Sequence, residues 1–97
     1  MIALTRIEIL IDSAHRQAME SRLAGMGISQ VIVFPNVSTG GFETNLHSEG
    51  FADLLGTILI LAYCEEKILE SAKEPLRNFL KQCGGALFVS SVQSLRY

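Results

Sequence analysis

The run Ser-Thr-Gly-Gly at positions 38–41 has the residue types best suited to hold an anion. Glycine allows positive φ and close approach of a ligand to the backbone, and successive N–H groups in such a turn can surround a negative charge. The same letters also describe the flexible start of a loop, which the residues alone favour. The pair at 84–85, Gly-Gly, allows two interpretations as well, an anion-binding turn or a helix C-cap, and the C-cap is favoured.

His47 lies among acidic residues that could bind a metal ion together with it, namely Glu43, Glu49 and Asp53. Their spacing matches no standard ligand pattern, and this part of the chain has no cysteine to complete a zinc site. A solvated acidic loop is the favoured interpretation, and we expect no metal site.

The residue types do not assemble into an active site. The two histidines are isolated and the hydroxyl groups are scattered, so no nucleophile, base and orienting group fall into a recognised arrangement. His15 shares a helical face with Met19, which favours a partly buried structural histidine. We therefore expect a protein that is not an enzyme.

Composition limits the partners and the location. The chain has 97 residues, enough for one domain over 1–97. Its eight Lys and Arg against ten Asp and Glu give a net charge of −2, so we do not expect it to bind nucleic acid. Charges interrupt the first apolar run, and the run 54–64 is shorter than the ~20 residues that a membrane-spanning helix needs. We expect a cytoplasmic protein without a membrane span, in which Cys64 and Cys83 are reduced and mostly buried.

Hydrophobic periodicity predicts the elements that must position these residues. Alternation predicts a strand at 4–12, and aliphatic and β-branched runs predict strands at 28–34, 57–63 and 86–92. Helical spacing predicts one helix after the first strand and a second one whose apolar stripe contains Ile68, Ala72, Leu76, Phe79, Leu80 and Cys83. Pro75 is expected to kink or break the second helix, because it lacks the N–H that would bond the Ser71 carbonyl.

This order, βαββαβ, is the ferredoxin-like α+β plan, with an antiparallel four-stranded sheet and both helices on one face. The connection between the second and third strands, residues 35–56, is far longer than the typical length of about 4–6 residues. It contains no Lys or Arg. Since loops of this length tend to be functional or disordered, we expect the function to depend on it.

The strands predict a chain that self-associates. A sheet with helices on one side should be polar on the other, but in three of the four strands both faces are apolar, as where Val31 and Val33 alternate with Ile32 and Phe34. A monomer would expose this apolar face to water. We expect a homo-oligomer that packs sheet against sheet, either a dimer or a trimer, with ligand sites in the clefts between subunits.

With these elements in order, the chain resembles the PII-like signalling proteins, especially the short members associated with bicarbonate transport and carboxysomes. The resemblance rests on TRIEILID, GISQVIVFPNVSTGG and ILILAYCEEKILESAKEPLRNFLKQCGGALFVSS, of which KEPLRNFLKQ followed by GGALFVSS is the most specific part. It implies a homotrimeric regulator without a cofactor that binds AMP, ADP, cyclic AMP or bicarbonate between subunits. Residues 36–55 would be a mobile T-loop-like segment that contacts a transporter or enzyme partner.

The resemblance also implies a set of ligand-binding positions: Val33 and Phe34 beside the base pocket, Ser38, Thr39, Gly40 and Gly41 at the loop base, and Gly84, Gly85, Ala86 and Leu87 around the last turn. No Lys or Arg occurs from Leu23 through Glu66, so Lys81 and Arg96 are the nearest basic groups in the sequence. Since the loop has no tyrosine, it offers no site for uridylylation.

Two alternatives to a nucleotide sensor stay open. One is a structural or adaptor oligomer whose loop binds a protein directly, without nucleotide. The other is a trace-metal-binding trimer of the same fold, which would use His47 or the cysteines.

Overall fold

The computed structural model describes residues 1–37 and 56–95. Strands and helices follow one another in the predicted ferredoxin-like order. Their bounds are β1 Ile2–Asp12, α1 Arg16–Gly25, β2 Val31–Phe34, β3 Thr57–Cys64, α2 Glu66–Cys83 and β4 Ala86–Ser94. Most of the long connection predicted between β2 and β3 lies outside the described residues, from 38 to 55.

The four strands form one antiparallel sheet in the order β2-β3-β1-β4. The strand β1 is central, and β2 and β4 are the two edges. At one end of the sheet, Leu10 pairs with Ala86 of β4 and Asp12 pairs with Thr57 of β3. We call this end of the sheet the β1 C-terminal end. Four strand ends meet there: the ends of β1 and β2 and the starts of β3 and β4.

One face of the sheet is covered by both helices. The side chains of Ile7, Ile9 and Ile11 alternate along β1 and are completely buried under them. The helices add Met19 and Leu23 from α1 and a stripe from α2 that comprises Leu69, Ala72, Leu76, Phe79 and Leu80. Burial of these apolar side chains is the main favourable contribution to the stability of the domain.

Specific hydrogen bonds set the two ends of α1. The Asp12 carboxylate accepts a hydrogen bond from the Ala14 N–H at 2.9 Å and starts a 3₁₀ turn, Ser13–His15, ahead of the helix. At the other end, Gly27 has φ +89° and the Ile28 N–H donates to the Leu23 carbonyl at 2.8 Å. This exit places Ile28 in the core, so β2 begins at Val31 rather than at the predicted position 28.

The helix α2 continues through Pro75, so of the kink or break expected from the sequence, the break does not occur. Proline removes one backbone hydrogen bond from this helix. On either side of it, Ala72 and Leu76 are almost completely buried. Packing of an apolar face contributes more to helix stability in a protein than local propensity does, which explains why α2 tolerates the proline.

The other side of the sheet carries no helix among the described residues. We call this side the open face. The register places Ile32, Leu61, Glu8 and Phe88 in one row across it and Phe34, Leu59, Leu10 and Ala86 in the next. The side chains of Ile32, Phe34 and Phe88 are 52%, 45% and 48% exposed, which confirms the predicted apolar surface.

Three smaller predictions concern single side chains and the membrane. Cys64 is buried, Cys83 is half-buried, and both are free thiols, as predicted. His15 is half-buried and meets the Phe79 ring edge to face, with ring centroids 6.4 Å apart. Neither helix in the described ranges is long and apolar enough to cross a bilayer.

Candidate functional site

The turn between α2 and β4 begins with a left-handed residue. Gly84 has φ +77° and its N–H donates to the Leu80 carbonyl at 2.8 Å, which ends the helix. A residue with a side chain is strained in this conformation. The favoured sequence interpretation, a helix C-cap, is therefore confirmed for Gly84.

Gly85 is needed for a different reason, because its backbone packs closely against β1. A Cβ atom at this position would lie 2.8 Å from the Leu10 carbonyl oxygen and 2.9 Å from Leu80 Cδ2, and would also overlap Ile11 Cγ2. Such contacts are shorter than real Cβ atoms make. The turn thus packs closely against the end of β1 at Gly85.

A groove of about 580 Å³ runs beside this turn, between α2 and the edge strand β4. Its apolar lining comes from Leu69, Leu76 and Leu80 of the helix and from Leu87 and Val89 of the strand. The groove also includes Gly84, Gly85 and Lys81. Three positions implied by the resemblance, 84, 85 and 87, therefore line one groove together with Lys81, which the sequence proposed as a nearby basic group.

Three cations line the helix side of the groove, Lys73, Arg77 and Lys81. They are spaced by four residues, so they follow one another along the same face of α2. Sequence reasoning proposed Lys81 but missed Lys73 and Arg77, although their helical spacing from position 81 was a signal that could have identified them.

These cations differ in their partners. Lys73 Nζ lies 3.5 Å from Glu70 Oε1, and Arg77 Nη1 lies 3.2 Å from Glu74 Oε2. Both pairs are exposed, and such pairs contribute only about 0–1 kcal/mol each. Lys81 has no hydrogen-bond or ion-pair partner within residues 1–37 and 56–95, so its ammonium group is the most available to an anion.

The two ends of the long connection are tied to the β1 C-terminal end of the sheet. The Val37 N–H donates to the Thr57 carbonyl at 2.8 Å, and the Ser13 N–H donates to the Gly56 carbonyl at 2.9 Å. Asn36 and Gly56 both have positive φ, 56° and 85°. These bonds place the base of the connection at the same end of the sheet as the 84–85 turn.

Of the other described positions, Ala86 pairs with Leu10 beside the turn without lining the groove, whereas Val33 and Phe34 do not reach the groove within one chain. Val33 faces the helices and Phe34 lies on the open face, both at the end of β2. The strands β3 and β1 separate β2 from β4, and three inter-strand spacings amount to about 14 Å. The positions on β2 and those around the turn thus lie on opposite edges of the sheet.

Some predicted positions cannot be located. Ser38, Thr39, Gly40, Gly41 and Arg96 lie outside the described residues. The acidic positions around His47 do too, while residues 1–37 and 56–95 contain no cluster of three metal-ligating side chains.

Comparisons with known proteins show that the fold of this chain resembles that of several solved structures. No protein-family model and no curated protein matches the chain. One solved structure that resembles this chain is CPII from Thiomonas intermedia K12, a nitrogen regulatory PII-like protein bound to ADP, AMP and bicarbonate. Its sequence is 22% identical to this chain. The TM-score is 0.77, and the match covers 98% of this chain and 93% of CPII. The apo form of CPII is also 22% identical, with a TM-score of 0.77 over 96% and 92% of the two chains.

A third structure comes from Thermus thermophilus. It is a candidate PII-like signalling protein that is 14% identical, with a TM-score of 0.75 over 98% of this chain and 91% of that one. The three likenesses cover nearly the whole of each chain and confirm, at the level of the fold, the resemblance stated from the sequence. The chain therefore has the fold of the PII-like proteins, a ferredoxin-like sheet with both helices on one face.

Proposed function

We propose that this chain is a non-enzymatic PII-like regulator of the cytoplasm. In the proposal it forms a homotrimer, binds an adenine nucleotide, bicarbonate or both in the clefts between subunits, and acts on a transporter or enzyme through residues 36–55. The observation that supports it most is the groove beside the 84–85 turn, at the end of a PII-like sheet where the long connection also begins.

The location of the predicted positions supports a site between subunits. Val33 and Phe34 are on the edge strand β2, whereas the turn and groove are at the other edge, on β4. In a cyclic oligomer, the β2 edge of one copy can face the β4 edge of the next. The two groups would then form one cleft, although they lie about 14 Å apart in a single chain.

The chemistry of the groove suits a ligand with an apolar body and a negative charge. Leu87 and Val89 provide partly exposed apolar surface, and Lys81 provides beside it a cation that has no partner among residues 1–37 and 56–95. A purine ring and a phosphate have these two properties in one molecule. Bicarbonate would use the charge alone, so the groove by itself does not favour one of these ligands over the other.

Isothermal titration calorimetry with ADP, AMP, cyclic AMP and bicarbonate, on protein of measured mass, tests the proposal. We expect heat from at least one ligand, and we expect Lys81→Gln to weaken its binding by about tenfold, since one charge-assisted hydrogen bond is lost. Lys67→Gln is the matched control, because Lys67 is exposed on the same helix and does not line the groove.

The outcomes separate the alternatives. Heat that is unchanged in the Lys81→Gln variant would place the ligand elsewhere. No heat with any ligand, from protein that remains oligomeric, would contradict the sensor and favour an adaptor that binds a protein directly.

A further inference from the structure

Acidic and basic side chains follow a regular pattern along α2. Lys73 and Glu70 form one ion pair, and Arg77 and Glu74 form the next one. In both pairs the glutamate lies three residues before the cation, a spacing that makes two residues neighbours on a helix surface. Each of these two cations in the groove is therefore offset by a carboxylate.

The pattern ends before Lys81, the last cation of the row. The residue three positions before it is Asn78, which is exposed and carries no charge. Within residues 1–37 and 56–95, no carboxylate forms an ion pair with Lys81. The cation nearest to the 84–85 turn is thus the one that is most available to a ligand, and the cation one turn further along the groove is held by Glu74.

An anion beside the 84–85 turn depends on these side chains. The turn follows the C-terminal end of α2, where the carbonyl groups of the helix carry a partial negative charge that disfavours an anion. Lys81 offsets this charge at the turn. Arg77 lines the same groove four residues earlier, a distance of about 6 Å along the helix axis. A ligand with a second negative group can therefore reach from Lys81 to Arg77.

The partner of Arg77 can be exchanged. Its side chain and that of Glu74 are 62% and 68% exposed, and exposed ion pairs are weak contacts. A phosphate group can accept two parallel N–H bonds from one guanidinium, which makes a stronger contact than most ion pairs. A phosphate that reaches Arg77 can thus replace Glu74 as its partner.

We infer that Arg77 determines specificity in this groove and makes it prefer a nucleoside diphosphate to a nucleoside monophosphate. The inference rests on the proposed function, in which an adenine nucleotide binds there. One phosphate of the diphosphate contacts Lys81, and the other contacts Arg77 in place of Glu74. A monophosphate has a single charged group and is held by Lys81.

Isothermal titration calorimetry with ADP and with AMP tests this inference, in buffer without Mg²⁺ because that ion binds to phosphates. The measured quantity is the Kd of AMP divided by the Kd of ADP. We expect Arg77→Gln to lower this ratio about tenfold, since a charge-assisted contact to the second phosphate is lost. Glu74→Gln is expected to raise the ratio, because Arg77 then has no carboxylate to leave.

Asn78→Glu tests the role of the interrupted pattern. It places a carboxylate three residues before Lys81, and we expect it to weaken the binding of both nucleotides by about two- to fivefold, the effect of one exposed ion pair. Lys67→Gln is the matched control, since Lys67 is exposed on the same helix and does not line the groove. It should change neither affinity. All the substituted positions are exposed, and circular dichroism checks that each variant is folded.

The results separate this inference from the proposed function. No heat from either nucleotide with the wild type would contradict both. A wild type that binds ADP and AMP with equal affinity would overturn only the specificity inference, and so would a ratio that stays unchanged in Arg77→Gln or in Glu74→Gln. The binding of a nucleotide by the wild type would stand in those cases.

Discussion

Gly85 packs directly on the backbone of Leu10, and a Cβ atom at position 85 would lie 2.8 Å from the Leu10 carbonyl oxygen. This contact fixes the start of β4 against the end of β1 and holds the wall of the groove. The glycine is therefore required by the packing of the turn.

We expect Gly85→Ala to lower the free energy of unfolding by about 1–3 kcal/mol, because β1 or the turn must move to make room. Gly25→Ala is the matched control, since a Cβ there would meet nothing within 4 Å, and we expect it to stabilise the protein by about 0.5 kcal/mol. Urea denaturation followed by circular dichroism measures both. Equal effects of the two substitutions would contradict the packing argument.

Phe88→Glu is expected to convert the protein to a monomer. Phe88 is 48% exposed on the open face and lies opposite Glu8, so a carboxylate there adds like charge to the surface that the proposed assembly would bury. Its partial exposure means that the isolated chain should still fold. Sedimentation velocity gives the mass, with Ala18→Glu on the exposed side of α1 as control. A Phe88→Glu variant of unchanged mass would show that the open face is not the contact surface.

Arg22 joins the two helices through the Phe79 ring, with its guanidinium carbon 4.1 Å from the ring centroid. Arg22→Gln is expected to destabilise the protein by about 0.5–1 kcal/mol, through loss of this cation–π contact. Arg16→Gln, which breaks only an exposed ion pair with Glu20, should cost about 0.5 kcal/mol or less. Thermal denaturation of the two variants tests the difference, and a smaller loss for Arg22→Gln than for Arg16→Gln would contradict it.

The two thiols predict a loss of stability at alkaline pH. Burial raises the pKa of Cys64 and of Cys83 above their ordinary value of 9.0, and Arg22 partly offsets this for Cys83. The unfolded chain ionises its thiols near that ordinary value while the folded chain keeps them protonated. Their contribution to stability is thus full below pH 9.0 and is lost as the pH rises through the higher folded values.

We expect the free energy of unfolding to fall more steeply for the wild type than for the double variant C64A/C83A, between about pH 8 and about pH 10. Urea denaturation at several pH values gives both curves. The comparison uses the slope with pH, so a constant loss of stability from the substitutions does not affect it. Parallel curves would show that the thiols do not ionise differently in the two states.

The sheet could be predicted because the alternation of residue types along a strand is a local property of the sequence. Alternation along β1 places Ile7, Ile9 and Ile11 on one face, and the structure buries all three completely. The lack of alternation in the other strands predicted an apolar open face, which Ile32 and Phe88 confirm. A period of two residues is a property of the chain itself, so it can be read without knowing the fold.

The errors occurred where distant or detailed contacts decide the structure. The start of β2 was wrong because the bond from Ile28 to Leu23 takes Ile28 into the core, and apolar character alone does not distinguish that from a strand. Leu69 was missing from the predicted stripe of α2 although it is 5% exposed. Of the kink or break expected at Pro75, the break does not occur, since packing on the sheet stabilises the helix across it.

The sequence by itself determined the order of the elements, the apolar character of both sheet faces and the glycine turn at 84–85, because each depends on residue types close together in the chain. Only the tertiary structure decided that α2 lies beside the edge of β4, so that Lys73, Arg77 and Lys81 line one groove with Leu87. It also decided that β2 and β4 are opposite edges of the sheet. These relationships depend on how elements far apart in the chain pack against each other, and local periodicity carries no information about that packing.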